Sequence, residues 1–450
     1  MAEFIHESYI PGETIAAIAT PPGEGGVAII RISGNNAVGI AEKVFSGPVR
    51  SYKTHTAHFG KITDVDEVIL LPMLAPRSYT GEDTVEIHCH GGSLITKKVL
   101  QTVLDAGARP AKPGEFTFRA FINGKLDLTQ AEAVQELIHA KNDLALHAAG
   151  NQLSGALSLK ISSFQKELVD IAANLEAWVD FPEEDLEIES MEDLIFSLTQ
   201  IKDKITKLIT TFDEGKIVHD GLNLCLAGSP NVGKSSLMNA LLGFDRAIVT
   251  NIAGTTRDLL EEEIRLAGLH FRLIDTAGIR KTEEVIEKEG IKRSKQAISD
   301  ADLILLVMDA TKPIDEELVC SIPKEKTILI WNKIDLPHSI TSELDFVQAY
   351  VSAKTGEGLE LLKELIQKIV WQKGVPSKEE IVITNLRHFQ ALKNALTSLE
   401  ALIKGLKQQV SPEFLSSDMR NTLLELGKIL GTNITEDILS AIFSKFCIGK

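Results

Sequence analysis

Three short motifs constrain how the middle of this chain folds. Gly228 to Ser235 reads GSPNVGKS, Asp275 opens DTAG, and Asn332 opens NKID. Each follows an apolar run: Leu224, Leu226 and Ala227 before the first, His270 to Ile274 before the second, and Thr327 to Trp331 before the third. Leu303 to Met308 reads as a further strand, and Ser235 to Leu242 as a helix. Strand, glycine-rich loop and helix in succession specify a doubly wound α/β sheet, in which ligands bind where strands give way to loops. Glycines in such a loop let backbone N–H groups point at phosphate oxygens, Lys234 reaches the outer phosphates, and Ser235 offers a hydroxyl to magnesium. The loop residues expected at the phosphates are Asn231, Val232, Gly233, Lys234, Ser235 and Ser236.

The later motifs choose the nucleotide. Asp275 is placed to hold the magnesium through water, with Thr276, Ala277 and Gly278 beside it and the Gly278 N–H directed at the terminal phosphate. Asn332, Lys333 and Asp335 fall at a strand end, where the Asp335 carboxylate accepts from the N–H groups of guanine. Adenine presents the wrong pattern, and a buried unpaired polar group costs about 1–3 kcal/mol, so GTP is favoured over ATP. Ser352, Ala353 and Lys354, after a strand at Ala349 to Val351, close over the base.

Two features concern hydrolysis. The residue after DTAG is Ile279, which cannot orient an attacking water as a glutamine does at that place in Ras-type sites. Thr250 to Asp258 reads TNIAGTTRD, a loop rich in hydroxyls and free carbonyls. With Asn231 of the phosphate loop it can cage a potassium ion, which would neutralise charge developing between the phosphates as an arginine finger does elsewhere. The plainer reading of Asn231 is an amide that stabilises its loop.

Apolar residues at steps of three and four mark helices on both sides of this segment. Leu153, Leu157, Ile161, Phe164, Leu168, Ile171, Leu175 and Trp178 read as one helix with a continuous stripe. Phe389, Leu392, Leu396, Leu399, Ile403 and Leu406 repeat the pattern, followed by Leu423, Leu426 and Leu430. Packing these blocks together, with the nucleotide module inserted between them, buries both stripes. A coiled seam between two copies would bury them as well. Before residue 125 the chain is different: short β-rich runs at Val27 to Ile32, Val68 to Met73 and Val85 to His90, broken by Gly and Pro, read as a separate α/β unit. The expected division is 1–125, 126–219, 220–379 and 380–450.

Composition narrows the possibilities. The chain has 450 residues and 44% hydrophobic content, enough for several packed cores. Cys89, Cys225, Cys320 and Cys447 are widely spaced, which argues for reduced thiols, a cytoplasmic setting and no structural zinc. His88 and His90 share one strand face while Cys89 points to the other, so a single ion cannot take all three. PPGEGG at Pro21 lacks the full dinucleotide fingerprint. Acidic residues in the first thirty positions argue against a signal peptide, and no apolar run is long enough to span a bilayer. A net charge of −16 argues against non-specific nucleic-acid binding by the chain as a whole, and no DNA partner is expected. Gly449 and Lys450 do not fit a prenylation tail after Cys447.

The nucleotide motifs resemble those of the translation-factor-like GTPases, and further stretches make the likeness closer. TPPGEGGVAIIRISG from Thr20, TGEDTVEIHCHGG from Thr80, PGEFTFRAFINGKLDLTQAEA from Pro113, FPEED at Phe181 and the terminal FCIGK resemble the MnmE (TrmE) family of tRNA-modification GTPases over essentially the whole chain. The segment between Asp309 and Asn332 is short for that family. The resemblance implies an N-terminal α/β domain that binds a tetrahydrofolate derivative, 5-formyl or 5,10-methylene, and forms a homodimer. It also implies a discontinuous helical domain and an inserted Ras-like G domain. By motif match, Arg31, Glu86, Lys125 and Lys450 line the folate site. Their chemistry suits it, since Arg or Lys can hold a glutamate tail and Glu86 an N–H edge of the pterin. Each could equally be an ordinary surface charge.

The resemblance likewise implies that Glu287 orders the water network that replaces the glutamine, and that Thr250, Ile252 and Thr255 join Asn231 on potassium. Thr256 would join Ser235 on magnesium, and Asn251, Ala253 and Gly254 would lie along the nucleotide. Cys447 is a candidate nucleophile or acid–base group, or a small side chain in a docked tail. The implied activity is a potassium-stimulated GTP hydrolase. Together with the FAD-carrying flavoprotein MnmG, in a heterotetramer, it would modify carbon five of the wobble uridine of certain tRNAs. A ribosome-assembly or RNA-chaperone GTPase would share the G domain without needing the folate-like unit or the FCIGK tail. A folate-dependent aminomethyltransferase without tRNA would leave the GTPase unexplained.

Overall fold

The computed structural model describes residues 12–180, 190–244, 262–274, 296–338, 344–371, 374–377, 379–432 and 434–450. The chain divides into two compact units, one of residues 1–138, 150–205 and 390–450, the other of residues 139–149 and 206–389.

In the first unit, strands β1 (Ile15–Ile18), β2 (Val27–Ser33), β3 (His58–Ile62), β4 (Asp66–Met73), β5 (Thr84–His90) and β6 (Arg109–Pro110) form one sheet in the order β3-β4-β5-β2-β1-β6. The neighbours run antiparallel except β1 and β6. Side chains alternate across a strand. Ile30, Ile32, Val85 and Ile87 therefore enter a core with Ile40, Ala41, Val99 and Val103 from the helices Ala37–Val44 and Ser93–Asp105. The same alternation puts Arg31 and Glu86 on the opposite face, and the β2–β5 register sets these two directly across from each other. The PPGEGG segment links the antiparallel strands β1 and β2 and leads into a strand, where a dinucleotide fingerprint would lead into a helix.

The long stripe expected from Leu153 to Trp178 is interrupted. One helix ends at Leu153 and the next spans Ala156–Asp180, because Gly155 adopts φ 88, a left-handed conformation that terminates helices. Beyond the break the pattern holds, with Leu157, Ile161, Phe164, Leu168 and Ile171 all buried. This helix packs on the helix Pro412–Leu430, which contributes the buried Leu426, and Gln165 Nε2 donates to the Leu423 carbonyl at 3.4 Å. Segments far apart in the sequence thus supply one helical layer.

In the second unit, β7 (Leu222–Ala227), β8 (Glu262–Leu266), β9 (Leu269–Ile274), β10 (Leu303–Asp309), β11 (Thr327–Asn332) and β12 (Val347–Val351) form a sheet in the order β12-β11-β10-β7-β9-β8. All pairs are parallel except β8 with β9. Parallel central strands are covered on both faces and read as continuous apolar runs. Along β10, Leu303, Leu305 and Val307 face one core while Ile304, Leu306 and Met308 face another. The helix Phe212–Asp220 belongs to this unit: Val218 enters the core, the Thr211 hydroxyl accepts from the Ile383 amide at 3.1 Å, and Phe212 stacks on Phe389. No helix among the described residues is long and apolar enough to cross a membrane.

Candidate functional sites

The carboxyl ends of β7, β10, β11 and β12 deliver Gly228, Asp309, Asn332 and Ser352 to one edge of the second sheet. Gly228 and Gly233 keep the phosphate loop close to that edge. A Cβ on Gly228 would stand 2.3 Å from the Val307 carbonyl oxygen, and one on Gly233 would meet the Asn332 amide. Both have φ in the range that favours glycine, 143 and 99. The helix Lys234–Phe244 starts directly behind the loop, so its free N–H groups and the positive end of its dipole face whatever the loop holds.

Lys234 Nζ folds over the loop and donates to the carbonyls of Gly228 and Ser229 at 2.6 and 3.0 Å. Burial pushes its pKa down. An ammonium held by carbonyls and half-removed from water gains from an anion, and a phosphate chain fits that demand. Ser235 and Ser236 are exposed at the mouth of the loop, as is Asn231, while Val232 is buried beneath it.

The residues expected to recognise the base are tied to the phosphate loop and to each other. Asn332 is buried; its Nδ2 donates to the Val232 carbonyl at 2.9 Å and its Oδ1 accepts from the Ala353 amide at 3.0 Å. Lys333 Nζ donates to the Asn231 carbonyl at 2.9 Å. The buried Ser352 hydroxyl donates to Asp335 Oδ1 at 2.8 Å and accepts from the Thr355 amide at 3.2 Å, so the carboxylate is aimed while remaining exposed to a ligand. Lys354 is exposed beside it.

One participant escaped the sequence analysis. Asp309 ends β10 and accepts from Lys333 Nζ at 2.6 Å. Burial would raise its pKa, but the hydrogen bonds from Lys333 and from the Thr311 hydroxyl and amide, with the Lys333 charge, bring it down to about 2. Its only sequence signal was a charge closing an otherwise apolar strand. Thr250, Asn251, Ile252, Ala253, Gly254, Thr255, Thr256, Asp275, Thr276, Ala277, Gly278 and Glu287 lie outside the described residues.

In the first unit, Arg31 Nε donates to Glu86 Oε1 at 2.9 Å and its Nη1 to the Gly449 carbonyl at 3.3 Å. The guanidinium lies 5.6 Å from the ring centroid of Phe116 and 5.7 Å from that of Tyr79. The chain end is seated on the sheet: a Cβ on Gly449 would stand 2.3 Å from the Ile18 carbonyl oxygen, which only glycine avoids. Burial, then the Arg31 charge, lower the pKa of Lys450, and Glu86 partly offsets them. Arg31, Glu86 and Lys450 are therefore one cluster. Lys125 donates to the Pro76 carbonyl at 3.1 Å and makes no described contact with that cluster. Cys447 is exposed, and its carbonyl accepts from the Gly114 and Lys450 amides at 3.4 and 3.3 Å.

Behind the cluster, the fully buried Arg119 donates to Glu82, to Glu115 and to the Glu13 carbonyl, and Arg109 binds Glu115 through two nitrogens and Glu13 through Nε. Burial would raise the Glu115 pKa, but the Arg109 hydrogen bonds, the Lys112 amide and the Arg119 charge hold it below the usual range. This network fixes the helix Glu115–Ile122, which presents Phe116 to Arg31. Among the described residues no group of three or more His, Cys, Asp or Glu side chains stands close enough to hold a metal ion.

The parallel sheet, the phosphate loop and the Asn-Lys-x-Asp segment at its edge define a P-loop guanine-nucleotide-binding protein. The family model of the MnmE helical domain matches residues 128–447, and that of the GTP-binding protein TrmE N-terminus matches residues 14–125. The tRNA modification GTPase MnmE of Protochlamydia amoebophila is 62% identical over 458 residues, covering 100% of both chains. That of Chlamydia trachomatis serovar A is 45% identical over 444 residues, covering 97% of this chain and 99% of that protein. The G domain of the T. maritima FeoB iron transporter is 31% identical, covering 33% of this chain and 98% of that one at a TM-score of 0.24. This chain belongs to the MnmE family of tRNA modification GTPases.

Proposed function

We propose that this protein is a homodimeric, potassium-stimulated GTP hydrolase. With the flavoprotein MnmG, which carries FAD, it installs an aminomethyl-type or 5-carboxymethylaminomethyl group on carbon five of the wobble uridine of certain tRNAs in the cytoplasm. GTP and magnesium bind at the phosphate loop, with Lys234 on the outer phosphates and Ser235 and Thr256 on the metal. Asn231, Thr250, Ile252 and Thr255 hold potassium, and Glu287 orders the attacking water. Asp335, with Ser352 behind it, selects guanine.

The one-carbon unit comes from a tetrahydrofolate derivative held by Arg31, Glu86, Lys125 and Lys450. Hydrolysis in the G domain signals to this chemistry and transfers no phosphoryl group to RNA. Cys447, exposed on the seated tail, is a candidate nucleophile or acid–base group there. The domain partition 1–125, 126–219, 220–379 and 380–450 goes with this division of labour.

The observation that carries the reading is the contact between the chain end and the N-terminal sheet. Arg31, paired with Glu86, also holds the Gly449 carbonyl, which places a donor, an acceptor and the Phe116 and Tyr79 rings together. A GTPase that only gates assembly has no use for that cluster, whereas a pteridine with a glutamate tail fits it. Nucleoside analysis of tRNA from cells lacking the protein tests the whole reading. Loss of the modified wobble uridine is expected, and an unchanged profile with no redundant enzyme present overturns it.

A further inference from the structure

Asp309 sits with its side chain 2% exposed and divides its two oxygens between two partners. Oδ1 accepts from the Thr311 amide at 3.0 Å and from its hydroxyl at 2.7 Å, while Oδ2 accepts from Lys333 Nζ at 2.6 Å. The same ammonium donates to the Asn231 carbonyl at 2.9 Å. The bridge therefore runs from the end of β10, through the residue after β11, to the loop after β7. Both loop residues it joins, Lys333 and Asn231, stand at left-handed backbone positions, φ 70 and 65, which non-glycine residues adopt only when their surroundings hold them there.

A lysine head carries about 2 kcal/mol of rotamer entropy that a ligand must otherwise immobilise. A buried carboxylate facing it fixes the head in advance, so the cost is removed before the nucleotide arrives. We propose that Asp309 is a positioning residue of the guanine-nucleotide site, holding Lys333 against the Asn231 carbonyl and thereby joining the base-recognition segment to the phosphate loop. This inference rests on the GTP reading of that site.

Asp309 acts through the Lys333 head on the ground-state fit of the nucleotide, so its effect is on uniform binding. GDP and GTP should weaken together, and the loss should appear in KM more than in kcat. The test is titration of the full-length protein with fluorescent GDP and GTP analogues for wild type, Asp309→Asn, Lys333→Met and the double variant, with melting curves for each. Asp309→Asn should weaken both nucleotides about tenfold, the size of one charge-assisted hydrogen bond. The double variant should be no more than about twofold weaker than Lys333→Met alone, because both changes break one bridge.

Asp309→Asn binding GDP as wild type does, or fully multiplicative losses in the double variant, overturns the proposal while leaving the GTP reading in place. Absence of guanine-nucleotide binding by folded wild type overturns both. If Asp309→Asn fails to fold, Thr311→Val replaces it: removing the hydroxyl bond to Oδ1, with the amide bond kept, should weaken GDP about threefold in the wild-type background and not in Lys333→Met. An equal loss in both backgrounds, or none in either, overturns it.

Discussion

Around the phosphate loop, the candidate side chains hang from the ends of neighbouring parallel strands; around Arg31, its hydrogen-bond partners, the Glu86 carboxylate and the Gly449 carbonyl, come from positions 55 and 418 residues away. In the first region a single topological rule does the assembly. Parallel strands share one carboxyl edge, so a glycine-rich loop after β7, an aspartate closing β10 and an Asn-Lys pair at the end of β11 meet there. In the second region the sheet supplies only the pairing of Arg31 with Glu86, and the remaining partner arrives when the chain end seats Gly449 on β1. The first site is therefore built from local motifs and the second from tertiary closure. A defect in packing should damage the second before the first.

The largest effect should come from the ion-pair network that supports the Arg31 region. Glu115→Ala takes one carboxylate from the fully buried Arg119, which keeps Glu82, and removes two bonds from Arg109, a loss of about 3–5 kcal/mol. Denaturant unfolding should show this loss in the first unit, with folate-analogue binding lost as well. A change below about 1 kcal/mol would mean that the helix Glu115–Ile122 is held by packing alone.

Lys234→Ala addresses the other region. Removing the loop ammonium should lower GTP hydrolysis about 10²–10³-fold, the usual scale for one preorganised electrostatic contact, with folate binding unchanged. Loss of both activities would break the distinction between the sites.

Exchanging potassium for sodium at matched ionic strength should lower GTP hydrolysis about tenfold or more, if Asn231 and the Thr250 to Asp258 loop hold the ion. Equal rates in the two salts would remove the caged cation from the mechanism.

The smallest effect concerns pH. Asp309 has a folded pKa of about 2 against 3.8 for the free group, so its contribution to stability is complete above about pH 4 and is lost as pH falls through about 2. GDP affinity should therefore show no titration from this carboxylate between pH 5 and 8. A step in that window would place another group in control of Lys333.

How much of this was legible in the sequence follows from the same contrast. The strands β10 and β11 could be placed because they are apolar runs buried along their length, and β7, β9 and β12, though interrupted by Asn223, His270, Arg272 and Gln348, because they are short apolar-rich runs leading into motif residues. Asn332, Lys333 and Ser352 could be named in advance, since their roles depend on position after a strand. Asp309 could not, because nothing local distinguishes a bridging aspartate from one that merely ends a strand.

In the N-terminal unit the runs forming β2, β4 and β5 were visible, but β1, β3 and β6 were not: they are short or polar, and sheet pairing gives them their form. Arg31, Glu86 and Lys450 emerged only through family resemblance. Isolated charges carry no periodic signal, and contacts across hundreds of residues leave no spacing to read. The helical stripe from Leu153 was over-read because periodicity counts apolar residues and passes over Gly155, whose φ of 88 ends the helix.

Calorimetric titration of the full-length protein with 5-formyltetrahydrofolate, for wild type and Arg31→Ala, tests the two-site account most directly. Arg31→Ala removes the charge that holds Glu86 and the chain end together, so wild type should bind and the variant should bind about 30–100-fold more weakly, with GTP hydrolysis within about twofold of wild type. Absent binding by folded wild type, or undiminished binding by Arg31→Ala, would contradict the assignment of the one-carbon donor to this cluster.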